Sequence, residues 1–155
     1  LDLDYTPYPH LNAALLRLRH ILAPGTAATL EFTAPAQPIA VLGSQFVLCV
    51  LPFLPRTHAP ARTSTPLFVS LQRVLALLTA GPAAPALERV LNVSERYATA
   101  LRATATRLED DRGTRTTFIH QWGAAAWREQ RLMLEWEAAL FSAGHLTRWI
   151  VVVRK

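Results

Sequence analysis

A helix that stops on Pro-Gly and gives way at once to a strand constrains this sequence more than any other stretch. From His10 to Leu22, the residues Leu11, Leu15, Leu18 and Leu22 share one helical face, with Arg17, Arg19 and His20 opposite. Ala23-Pro24-Gly25 ends the helix, because Pro cannot continue the hydrogen-bond ladder and Gly accepts the positive φ that such an exit needs. Thr26 to Thr33 then alternates, with Ala28, Leu30 and Phe32 on one face, which reads as a strand. Helix, tight turn and strand are half of an α/β unit, so the expected fold class is α/β.

The chain has 155 residues, 51% of them hydrophobic, enough to bury a core as a single domain. Its net charge of +5 rests on arginine, since Lys155 is the only lysine. Such an excess favours RNA, acidic lipid or an acidic protein, and is equally compatible with a solvated basic surface. Cys49 stands alone in an apolar run, which excludes an internal disulfide and a thiolate zinc site. The sequence opens at Leu1 rather than Met, so a removed leader and a missing N-terminal stretch are both open.

Leu1 to Tyr5 alternates apolar and acidic residues, as a short strand would, and Thr6-Pro7-Tyr8-Pro9 breaks it. Ile39 to Leu54 is almost wholly apolar but is short of the about 20 residues a bilayer-spanning helix needs and is interrupted by Pro52, so burial against protein is expected, with membrane contact as the alternative. Pro55 to Thr65 reads as loop. Thr65 and Pro66 predict a helix N-terminus, with Leu67, Leu71, Val74, Leu75 and Leu78 on its apolar face and Gly81-Pro82 closing it. Pro85 opens a longer predicted helix through Leu87, Val90, Leu91, Tyr97, Ala98, Leu101 and Leu108, with Glu109-Asp110-Asp111 as its solvated exit. Thr114 to Trp122 is β-prone, and Gly123 separates it from a helix over Ala124 to Ala143, supported by an Arg131–Glu135 pair. Leu146 to Val153 reads as a buried terminal strand.

The order Leu1 to Thr6, Pro7-Tyr8-Pro9-His10-Leu11, the Leu-rich helix ending Leu22-Ala23-Pro24-Gly25, and the strand Thr29-Leu30-Glu31-Phe32 resembles the later half of class I S-adenosylmethionine-dependent methyltransferases. The tail is similar too, with Trp136 to Gly144 like that family's last helix and Val151 to Lys155 like its closing strand. The resemblance implies a truncated Rossmann-like sheet with a helical insertion. Within a single domain 1–155, residues 1–35 and 124–155 would form the sheet and residues 55–113 the mostly helical insertion. Thr26 stands where the family has a second Gly. The family's Gly-rich turn, which lets backbone N–H groups approach the cofactor, has no counterpart: the six glycines lie far apart and no Gly-x-Gly occurs. No cofactor is therefore expected to bind this chain.

Thr6-Pro7-Tyr8 resembles a shortened form of the element with which some amine methyltransferases grip the acceptor nitrogen, which makes Asp4, Tyr8 and His10 the candidate catalytic residues of an active form. His20, His58, His120 and His145 lack metal-ligand spacing, so no metal is expected. No serine sits in a nucleophile elbow, and Cys49 has no activating neighbours. Arg56, Arg62, Arg102, Arg107, Arg112 and Arg115 could meet phosphate, without an aromatic RNA-binding motif beside them. The resulting expectation is a non-catalytic, methyltransferase-like structural subunit of a larger protein or ribonucleoprotein assembly, intracellular and mitochondrial. Alternatives are a fragment of an active methyltransferase whose cofactor half lies elsewhere, and a small membrane-associated subunit built around Ile39 to Leu54.

Overall fold

The computed structural model describes residues 1–40, 43–54, 66 and 68–155, without the side chain of Tyr8. The chain divides into two compact units, Leu1–Pro38 with Ser64–Val93 and Thr147–Lys155, and Ile39–Thr63 with Ser94–Leu146.

The first unit contains the expected helix α1, Leu11–Ile21, and strand β1, Ala27–Pro35. The turn between them forms as the sequence predicts: Gly25 takes φ 80°, and the Thr26 amide and hydroxyl both donate to the Ala23 carbonyl, at 3.1 and 2.6 Å. Leu11, Leu15 and Leu18 of α1 meet Leu30 and Phe32 of β1 in one core with Val74 and Leu78 of α3, Leu71–Thr79. Helix α3 starts later than expected. Phe68 has φ 51°, which is not helical, and Ser70 is the N-cap, its side chain accepting from the Arg73 amide at 3.3 Å. The Thr65 cap and Leu67 lie outside the described residues. Arg19 of α1 closes the far end of α3, donating to the carbonyls of Ala80, at 2.7 Å, and Leu77.

The helix expected from Pro85 is a strand at its start: β2, Ala86–Asn92, pairs antiparallel with β3, Leu146–Arg154, placing Val90 opposite Val151 and Leu91 opposite Ile150. Leu87, Val90 and Leu91 fit helical spacing, but Val90 gains its burial from the ladder with β3, a contact distant in sequence that overrides local pattern. The order among the described strands is β1-β3-β2, with β3 in the centre. β1 and β3 run antiparallel: Gly25 and Thr26 bond Lys155 at one end, and the Thr147 hydroxyl donates to Ala34 at the other.

Among the described residues, the outer edge of β1 meets only the start of the chain. The Leu1 amine donates to the Thr29 carbonyl and the Glu31 amide to the Leu1 carbonyl, both at 2.8 Å, giving one parallel bridge between Asp2 and Glu31. The strand expected over Leu1 to Tyr5 goes no further, because the Asp2 side chain accepts from the Asp4 amide at 3.0 Å and turns Leu3–Tyr5 into a 3₁₀ helix.

In the second unit, α4, Ser94–Asp110, packs Ala98, Leu101, Ala105 and Leu108 inward, and α5, Arg112–Ser142, packs along it. Thr114 to Trp122 is helical rather than extended. Asp111 caps it, accepting from the Gly113 amide at 2.9 Å and the Thr114 hydroxyl at 2.6 Å, which outweighs the β-propensity of Thr, Phe and Ile. Those same bonds hold the exposed Asp111 carboxyl below its usual range. Gly123, with φ 88° and ψ 162°, breaks α5 where the sequence predicts a break. Arg131 pairs with Glu109 of α4 at 3.0 Å, rather than along its own helix with Glu135. The run expected to be buried is so only in part: Ser44–Val50 forms α2 and Leu51–Phe53 a 3₁₀ turn, Cys49, Pro52 and Phe53 are buried, but Val47, Leu48 and Leu54 are exposed, and the Trp136 indole donates to the Leu48 carbonyl at 3.2 Å. No helix among the described residues is long and apolar enough to cross a membrane.

Candidate functional site: a buried arginine among three carboxylates

In the first unit four charged side chains, Asp2, Asp4, Glu31 and Arg148, meet at one point. Glu31 and Thr33 are two residues apart on β1, so they share a face. Arg148 enters from β3, and Asp2 and Asp4 come from the N-terminal segment. Arg148 Nη1 donates to Asp4 Oδ2 at 2.5 Å and to the Thr33 hydroxyl at 3.2 Å; Nη2 donates to Asp2 Oδ2 at 2.8 Å and Glu31 Oε2 at 3.2 Å. The second oxygen of Asp4 accepts from the Thr33 amide at 2.7 Å. Arg148 and Asp4 are each 5% exposed, whereas the side chains of Asp2 and Glu31 are 34% and 45% exposed.

Three carboxylates around one guanidinium leave an excess of negative charge. Burial pushes the Asp4 carboxyl up to about 6; the bonds from Thr33 and the Arg148 charge pull it back, and Asp2 adds to the rise. Asp4 has both oxygens engaged inside the fold, where it ties the N-terminal segment to β1 and β3. His10 does not join it in this cluster. His10 is exposed at the start of α1, its amide donating to the Pro7 carbonyl at 2.8 Å. Tyr8 lies in the 3₁₀ turn Tyr8–His10, its side chain outside the described residues. Arg148 carried a signal the sequence reading passed over: a charge inside the run Leu146 to Val153 needs a buried partner.

A methyl donor's nucleotide needs glycine where a strand turns into a helix. The β2–α4 turn is the single residue Val93, which is not glycine. After β1, the only glycine before α2 is Gly43, where a Cβ would lie 3.1 Å from the Ala40 carbonyl oxygen of its own turn. At Gly25, Gly81, Gly123 and Gly144 a Cβ would meet nothing within 4 Å, and each takes a positive φ, so the backbone conformation is what calls for glycine there. Among the described residues no strand passes directly into a helix through glycine. Among them no group of His, Cys, Asp and Glu is placed to hold a metal ion.

No protein-family model and no curated protein matches the chain. Solved structures do. A mycolic acid cyclopropane synthase, CmaA1, in complex with S-adenosylhomocysteine superposes with a TM-score of 0.74 at 14% identity, over 98% of this chain and 52% of that one. The fold is methyltransferase-like. The cyclopropane synthase MmaA2 of Mycobacterium tuberculosis gives 0.72 at 15% identity, over 98% and 52%. Phosphoethanolamine N-methyltransferase 2 of Haemonchus contortus, bound to phosphomonomethylethanolamine and S-adenosylhomocysteine, gives 0.71 at 12% identity, over 99% and 31%. The methyltransferase-like chain thus spans about a third to a half of the proteins it matches. In it the antiparallel β1-β3-β2 sheet and its flanking helices are present, and Arg148 joins the sheet to the N-terminal segment.

Proposed function

We propose that this chain is the acceptor-side part of a methyltransferase-fold protein, and that it gains a methyl-donor site only when glycine-bearing strands of further polypeptide join the sheet at the outer edge of β1. The observation that carries this reading is that edge: Thr29 and Glu31 bond Leu1, the Thr33 amide bonds the Asp4 side chain, and beyond these contacts no described strand pairs with it. A strand edge that no full strand covers is a template for another strand. The coverage of the matched structures supports the same reading.

The test has two parts. Calorimetric titration of the isolated chain with S-adenosylhomocysteine should give no saturable binding; a dissociation constant below about 100 μM, equivalent to about 5.5 kcal/mol, overturns the proposal. The native assembly, or a longer polypeptide containing this chain, should bind the same compound. An assembly that contains the chain but does not bind it supports the non-catalytic structural subunit instead and ends this reading.

A further inference from the structure

From Arg112 to Arg128 the sequence holds three arginines, His120 and two tryptophans, and no carboxylate. Of the three acidic residues just before it, Asp111 caps α5 and Glu109 is paired with Arg131, while Asp110 is exposed. Trp127 is committed inward, its indole donating to the Leu108 carbonyl at 2.9 Å, and Arg115 reaches the Glu109 carbonyl at 3.4 Å. Trp122 differs from both. It is 42% exposed and immediately precedes Gly123, where the helix breaks and where a Cβ would meet nothing within 4 Å, so it stands at a corner open to solvent. Arg112 and Arg128 are exposed on either side along the chain. Beyond Arg128 lies a shallow hollow of about 200 Å³ lined by Arg128, Arg131, Leu132 and Glu135, with Leu132 56% exposed.

We propose that the corner of α5 around Trp122 is a peripheral docking surface for anionic phospholipid, with the indole at headgroup level and Arg112 and Arg128 on lipid phosphates. Exposed arginines flanking an exposed indole, with no carboxylate between them in sequence, complement a negatively charged interface whose depth suits a ring with one apolar body and one N–H. RNA fits less well, because single-stranded bases are held on several exposed aromatic faces and this corner offers one. The proposal is independent of the methyl-donor reading.

Vesicles of phosphatidylcholine alone, and of phosphatidylcholine with phosphatidylserine, some carrying bromine-labelled acyl chains, provide the test. The full chain should bind the anionic vesicles at least about tenfold better than the neutral ones, more weakly as salt rises, with its fluorescence quenched by the bromine. Trp122→Phe should keep the binding and lose most of the quenching. Arg112→Gln with Arg128→Gln should weaken binding about tenfold or more, at unchanged helical circular dichroism. Equal binding to both vesicle types, quenching that survives Trp122→Phe, or tighter binding to single-stranded RNA lost in the arginine double variant would each overturn the proposal. Because the Phe variant tests the corner without touching charge, a misfolded arginine variant leaves the question decidable.

Discussion

Replacing Arg148 with Met should be the most damaging single change in the first unit. The methionine fills much of the same volume, so the loss is electrostatic. The bond to Asp4 is charge-assisted and buried at both ends, and leaving such a carboxylate behind costs about 2–3 kcal/mol. The contacts to Asp2 and Glu31, 34% and 45% exposed, are screened by water and add no more than about 1 kcal/mol between them. We expect about 3–4 kcal/mol in all, in the range found when one member of a buried pair is removed. Urea unfolding followed by circular dichroism measures it, at concentrations below about 1 μM where association is weak. Arg148→Met combined with Asp4→Asn supplies the control: with no buried charge left to strand, the double variant should be less destabilised than the sum of the singles by about 2 kcal/mol. A loss under about 0.5 kcal/mol for Arg148→Met, or strict additivity in the double variant, would refute the cluster as the clasp of the N-terminal segment.

Asp4 also gives stability a pH dependence of definite sign. Its folded pKa of about 6 lies above the unfolded value near 3.8, so the folded state binds more protons between them, and this group adds stability as pH falls from 7 through 6. Unfolding midpoints measured at pH 7 and pH 5 should show that gain in the wild type and its absence in Asp4→Asn. Gly123→Ala forces a side chain onto φ 88°, ψ 162°, a conformation nearly confined to glycine, and should cost about 1–3 kcal/mol by thermal melting although nothing crowds the site. The isolated chain should self-associate through β1; by alternation with Thr29 and Glu31 the Ala27 amide faces the open edge, so Ala27→Pro should reduce the oligomer seen by sedimentation without loss of helical signal, and an unchanged oligomer would place association elsewhere.

What the sequence made legible was local. The α1–turn–β1 unit was readable because Leu11 to Leu22, Pro24-Gly25 and the alternation after Thr26 each determine their own conformation without distant help. The break at Gly123 and the strand at Leu146 were readable for the same reason. Ala86 to Asn92 was not, since its spacing suits either period and only pairing with β3, some sixty residues away, decides. Thr114 to Trp122 was misread because one carboxylate three residues upstream, Asp111, outweighs the propensities of the residues that follow it. The cluster was hardest. Asp4 stood out as a residue, but its partner Arg148 lies 144 positions along the chain, and no periodicity joins them. That contact ties the N-terminal segment to β3.

The central place of β3 has a consequence in time. β1 and β2 do not pair with each other; each pairs with β3, which follows every other described element in the chain. During synthesis the α4–α5 hairpin, whose contacts are near in sequence, can form early, while β1 and β2 wait with apolar faces and open edges for a strand that has not yet been made. The first unit is therefore committed in its last step, and through that delay it has more in common with an aggregation-prone intermediate than with a domain. A chaperone, or a partner strand already seated on β1, would have its largest effect in that interval.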